Sequence, residues 1–241
     1  VAMDVAAIPI DDQKTYELLS RGDTTGVFQL ESSGMKRYIK DLKPDRFEDI
    51  VAMVALYRPG PLTAGLTDSF IRRKNGLEKV VYDHPTMESA LKNTYGVVVY
   101  QEQVMKIAKD MCGFTGGQAD TLRKAIGKKN ADMMAKMKAE FIEGAVKHSG
   151  ADKKLIDDFW YKLEGFADYC FNKSHAACYA LIAVQTAYLK AHYPDAFMAA
   201  LMTSNKGNLE DIAKEIDECR VMGITVAPPD INESFMGFAV V

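Results

Sequence analysis

SHAACYALIAVQTAYLKAHYP (174–194) is the stretch on which the fold class turns. Ser174 stands at a natural N-cap position and Pro194 lies just beyond the far end, so the stretch reads as one long helix. Its apolar residues predict a buried face that carries Cys178, Leu181 and Ile182. The most apolar part, AACYALIAV (176–184), falls well short of the roughly 18 residues that a membrane-spanning helix needs.

The same helical punctuation recurs on both sides. NADMMAKMKAEFIEGAVKHSG (130–150) sets Met133, Met137, Phe141 and Ala145 four apart, and DKKLIDDFWYKLEGF (152–166) follows it. YQEQVMKIAKDMCG (100–113) turns Val104, Ile107, Ala108 and Met111 to one face, with Gly113 as its stop. It is preceded by an extended-looking GVVVY (96–100). SSGMKRYIKDL (32–42) and PDRFEDIVAMVALY (44–57) also carry the helix period. The second of these closes at RPGPL (58–62), because Pro59 disfavours helix at Arg58, and Pro-Gly-Pro reads as a turn. NLEDIAKEIDECRVMG (208–223) is amphipathic, with Ile212, Ile216, Cys219 and Met222 inward. The following ITVAPPDIN (224–232) reads as a strand or extended linker. The chain is therefore all-α, with a few short extended or strand segments.

Composition narrows the function classes. Thirty Lys and Arg stand against 33 Asp and Glu, a net charge of −3, so any contact with nucleic acid must come from a local patch. The four cysteines form no C-x-x-C pair and fit reduced thiols in a cytoplasmic setting. Between Thr121 and Lys138 six cations (Arg123, Lys124, Lys128, Lys129, Lys136, Lys138) face one acid, Asp132. Such a run is either a solvated helix face or a phosphate grip.

FADYCFNKSHAACYALI (166–182) places Cys170, His175 and Cys178 close together. Three ligands without a second pair or a carboxylate make a poor zinc site. No orienting third group marks a Ser–His or Cys–His nucleophile. Lys173 and Ser174 at a helix start fit a phosphate better, since the first N–H groups there are free and the helix dipole favours an anion. In YQEQV (100–104), Tyr100 can stack on bases and the amides of Gln101 and Gln103 can bond to base edges or sugars, or the segment is simply a polar helix start. There is no Walker A motif, no G-x-G-x-x-G and no D-x-D on a strand-like run to hold paired cations.

Six segments taken in order carry a resemblance. GDTTGVFQLESSGM (22–35), ALYRPGPL (55–62), TYGVVVYQEQVM (94–105), LRKAIGKK (122–129), FNKSHAACYALIAVQTAYLKAHYP (171–194) and DECRVMGITVAPPDIN (217–232) resemble the bacterial C-family DNA polymerases, the DNA polymerase III alpha subunits. The similarity runs from about Asp4 to Asn232, and within that family it resembles the fingers domain. The resemblance implies fingers over residues 1–205. A final fingers helix and an extended segment, 206–241, then lead towards the helix-hairpin-helix region. It implies binding of deoxynucleotide triphosphate and primer-template DNA, in an enzyme with palm and thumb domains, a sliding clamp and other holoenzyme subunits. Two-metal catalysis with Mg2+ would use palm carboxylates that lie upstream of a segment like MDVAAIPIDD (3–12), so this chain alone is expected to be inactive.

By motif match, the resemblance assigns nucleotide binding to Arg123, Lys124, Asn172, Lys173 and His175. Arg58, Gln103, Lys128 and Lys129 are further candidates for nucleotide or DNA contact. Cys170 stands where many relatives have glycine, and Tyr169–Cys170 resembles the junction at which split inteins interrupt this subunit. Two other readings stand beside this one: a non-catalytic helical nucleic-acid-binding module, and an intein-host segment defined by that junction.

Overall fold

A computed structural model describes residues 3–241 except 129, 130 and 168. Its described residues form thirteen α-helices: α1 Gln13–Arg21, α2 Ser33–Leu42, α3 Phe47–Leu56, α4 Pro59–Thr63, α5 Leu66–Lys74, α6 Glu88–Leu91, α7 Gln101–Cys112, α8 Gly116–Lys128, α9 Ala131–Ser149, α10 Lys153–Ala167, α11 Lys173–His192, α12 Pro194–Ser204 and α13 Leu209–Val221. No strand forms among the described residues. The extended GVVVY segment meets Phe171 in a single parallel bridge at Tyr100.

Two compact units partition the chain. One comprises Val1–Ile50 with Tyr179–Val241, the other Val51–Cys178. The unit boundaries therefore fall inside α3 and α11, not in linkers.

In the Val51–Cys178 unit, α7 packs against α8 and α9, and α10 packs on α8 and α9. Val104, Ile107, Ala108 and Met111 supply the inward face of α7, as their spacing predicts. Phe141 and Trp160 lie at the centre with ring centroids 5.2 Å apart, and Phe114 and Phe159 flank Phe141. On α9 the inward methionines are Met134 and Met137. Met133 is 36% exposed, so the stripe steps by three and then fours, not by fours throughout. Gly144 lets α9 approach the end of α7, where a Cβ would come within 2.5 Å of the Cys112 carbonyl oxygen. RPGPL departs from the expected turn. Arg58 is extended (φ −146°, ψ 155°), but Pro59 then opens the short helix α4, because proline's fixed φ suits a first helical position.

In the Val1–Ile50 with Tyr179–Val241 unit, α1 packs on α2 and α12 on α13. α12 begins at Pro194 by the same logic, so the proline that ends α11 also starts its successor. The inward face of α11 is not the expected one. Ala183, Val184 and Ala187 are fully buried, whereas Leu181 and Ile182 are 38% and 42% exposed. In the other unit, the first turns of the same helix bury Ala176 and expose Cys178. Both sides of the helix are apolar in sequence, and the small residues win the interior because they permit closer packing.

A buried ion pair ties three parts of this unit together. Lys190 on α11, only 1% exposed, donates to Glu218 on α13 at 2.6 Å and to the Thr25 carbonyl at 3.0 Å. The Thr25 hydroxyl donates to the other Glu218 oxygen at 3.0 Å. Burial lowers the Lys190 ammonium below its ordinary range, with Glu218 partly opposing it. For Glu218, burial raises the carboxyl, but the Lys190 hydrogen bond and charge outweigh it and hold it low. The Thr25 loop is glycine-dependent: Gly26 has φ +75°, and a Cβ there would meet Leu201 of α12 at 2.5 Å.

Candidate nucleotide-binding site

The start of α11 is assembled from three separate stretches of the Val51–Cys178 unit. Phe171 N–H donates to the Val99 carbonyl at 2.9 Å, and Gln101 N–H donates to the Phe171 carbonyl at 3.0 Å. These two bonds fasten the FNKSHA segment to the start of α7. Arg58 fastens it from a third direction. Its Nη2 donates to the Tyr169 carbonyl at 2.7 Å, its Nε donates to the Ala55 carbonyl at 2.8 Å, and its guanidinium lies 4.5 Å from the centre of the Phe171 ring. Arg58 thus serves as an internal tie rather than a free contact, and burial lowers its otherwise very high pKa.

Asn172, not Ser174, caps α11. Its Oδ1 accepts the His175 N–H at 2.8 Å, and its carbonyl accepts the Ala176 N–H at 3.2 Å. Two of the first three N–H groups, those of Lys173 and His175, are also not free as the sequence suggested. Lys173 N–H donates to both oxygens of Glu102 at 3.1 and 3.2 Å, and the Asn172 amide donates to Glu102 at 3.3 Å. The helix dipole favours that carboxylate for the same reason it would favour a phosphate. Nothing in the sequence linked Glu102 to a motif 70 residues away.

Two side chains at this helix start, one a cation and one an imidazole, are presented to solvent. Lys173 is exposed, with its ammonium 5.6 Å from the centre of the Tyr100 ring. His175 is exposed, its ring 5.4 Å from that of Phe171. Tyr100 itself is buried at 4% exposure, so its ring supports Lys173 and is not open for stacking on a base.

Gln103 is also engaged internally. It is 7% exposed, and its oxygen accepts Val99 N–H and Tyr100 N–H at 2.8 and 2.9 Å. Its nitrogen donates to the Ala90 carbonyl and the Thr94 hydroxyl at 3.1 and 2.7 Å. That fills both lone pairs and both donors, leaving nothing for a base or sugar.

Arg123 and Lys124 lie on the partly exposed face of α8. Both pair with Asp120, one turn earlier, at 2.9 and 2.8 Å. The Lys124 and Arg123 hydrogen bonds hold the Asp120 carboxyl below the usual range. The positive run is therefore less concentrated than it looks in sequence, since Asp120 sits just before it. Lys138 is likewise paired with Asp157 at 2.7 Å. Lys129 lies outside the described residues, as does the side chain of Lys128.

Cys170 is buried in the helical core, and burial pushes its thiol up to about 12 despite the opposing pull of Arg58. Among the described residues no three His, Cys, Asp or Glu side chains come together as a metal site, and Cys178 lies exposed apart from the buried Cys170.

Residues 1–149 match the family model described as the bacterial DNA polymerase III alpha subunit finger domain. The chain belongs to this family. It is 53% identical to the DNA polymerase III subunit alpha of Aquifex aeolicus over 240 residues, covering 100% of this chain and 20% of that protein. It is 50% identical to that of Escherichia coli K12 over 243 residues, covering 99% and 21%. It is 53% identical to the Haemophilus influenzae subunit over 235 residues, covering 95% and 20%. This finger-domain chain thus spans about a fifth of the length of the curated relatives it matches. No helix among its described residues is long and apolar enough to cross a membrane.

Proposed function

We propose that this chain is the nucleotide-binding fingers of a replicative DNA polymerase, contacting the incoming deoxynucleotide triphosphate and the primer-template during DNA-templated synthesis in the cytoplasm. The observation that carries the reading is the exposed pair Lys173 and His175 at the start of α11, in a chain about 50% identical to DNA polymerase III alpha subunits. Arg123, partly exposed, and Lys124, exposed, form a cationic group on α8. Cations directed at a triphosphate stabilise the charge that develops on the departing pyrophosphate. Asn172, Arg58 and Gln103 act one step back, by fixing the segments that carry Lys173 and His175.

Mg2+ and its carboxylates belong, on this reading, to the palm of the longer polymerase, together with the thumb, sliding clamp and other holoenzyme contacts. The chain alone incorporates no nucleotide in primer extension. In the full-length polymerase, Lys173→Ala and Arg123→Ala each raise the nucleotide KM or lower kcat, reducing kcat/KM about 10-fold or more, with primer-template affinity little changed. Wild-type kinetics in both variants would exclude these residues from the site. Tight, salt-dependent DNA binding without nucleotide would favour a plain nucleic-acid-binding module instead.

A further inference from the structure

We infer that Glu102 is an internal anion that competes with the nucleotide's phosphates for the start of α11, and so weakens nucleotide binding to a set level. The inference rests on the assignment of Lys173 and His175 to triphosphate binding. Glu102 lies in the first turn of α7, half-buried, and directs both carboxylate oxygens at Lys173 N–H while Oε1 also accepts the Asn172 amide. It is the acceptor at the very backbone group beside which Lys173 presents its side chain. The Lys173 ammonium is held over the face of Tyr100, which belongs to the same α7 start as Glu102.

A phosphate group drawn to Lys173 and His175 meets a carboxylate already hydrogen-bonded to the Lys173 backbone N–H and the Asn172 amide. Two anions on one N–H and one dipole repel, so the phosphate either replaces Glu102 or binds against its charge. Either way the carboxylate opposes the nucleotide while keeping the segment in place. Glu102 is therefore a positioning residue: it holds Asn172 in its capping geometry and sets the local field, without touching the reacting atoms.

The charge and the tether separate experimentally in the full-length polymerase, by nucleotide titration in primer extension with melting temperature measured alongside. Glu102→Gln keeps an oxygen to accept Lys173 N–H but removes the charge. The nucleotide KM is expected to fall about 3–10-fold, with kcat little changed. A merely structural role for Glu102 would leave KM unchanged or raise it. Should Glu102→Gln melt early, Glu102→Asp withdraws the carboxylate by one methylene, and a fall in KM again supports competition while a rise overturns it. Lys173→Ala keeps the two failures apart. If it raises KM while neither Glu102 variant lowers it, the competing role is wrong and the site stands. If Lys173→Ala leaves both KM and kcat unchanged, the assignment of Lys173 to the site fails and the role of Glu102 falls with it.

Discussion

At the residue scale, Gln103 and Lys173 show how burial divides labour among polar side chains near one junction. The Gln103 amide makes four internal hydrogen bonds, and two of them satisfy N–H groups of the GVVVY segment. Gln103→Ala would leave Val99 and Tyr100 N–H groups without partners. It is expected to destabilise the protein by about 3 kcal/mol, read as a lower urea midpoint at unchanged slope. A loss below about 0.5 kcal/mol would mean that water replaces the amide there. Lys173 is the converse: its charged end is exposed, so its removal costs little stability, and on the proposed function its effect falls on nucleotide binding. In the sequence the two looked alike, as polar residues at helix starts. Only the burial of one and the exposure of the other separate a structural role from a candidate functional one.

At the element scale, α11 carries the clearest contrast between pattern and packing. Its buried positions Ala180, Ala183, Val184 and Ala187 form a helical stripe of small side chains, while the bulkier Leu181 and Ile182 face outward. Ala183→Leu is therefore expected to destabilise by about 1–3 kcal/mol through overpacking, and Ile182→Ser by less than about 1 kcal/mol. The reverse order in thermal or chemical denaturation would restore the face predicted from hydrophobicity. Helix existence was legible here and along most of the chain, because caps and stops are local: Ser32 caps α2, Asp12 caps α1, and Gly113 ends α7 in a left-handed conformation. The facing of α11 was not legible, because apolar residues surround it and the spacing does not choose among them. α12 went unread for a related reason. In sequence Pro194 reads as a stop, although the same proline is equally suited to a first helical position.

At the scale of the whole molecule, charge is distributed by pairing more than by net balance. The net charge of −3 conceals a cationic stretch on α8 that Asp120 partly neutralises, and an anionic α13 whose Glu218 is bound to a buried lysine. Glu218 gives the fold an acid-sensitive element. Its folded pKa is depressed below the ordinary 4.5, so its contribution is complete above that value and is lost as pH falls through the lower folded value. Glu218→Gln should lower stability by about 2 kcal/mol at pH 7 and flatten the decline of stability below about pH 4.5. An unchanged acid slope in that variant would place the sensitivity elsewhere. The motifs of the candidate site were legible one by one as a phosphate-suited helix start and a basic helix. Their internal partners were not, because Arg58 and Glu102 reach them across 111 and 70 residues of sequence.

Those long separations also govern the order in which the protein assembles. Closing a chain segment costs entropy that rises with its length, so the contacts within α7 to α10 form at lower cost than the Arg58–Tyr169 tie that spans all of them. On that ground the helix bundle is expected to form first, and the segment from Tyr169 to His175 to dock onto it afterwards. A nascent chain would hold its core helices before it holds the cap of α11. On the proposed nucleotide-binding role, competence is then the last property this part of the protein acquires and, on partial unfolding, the first it gives up.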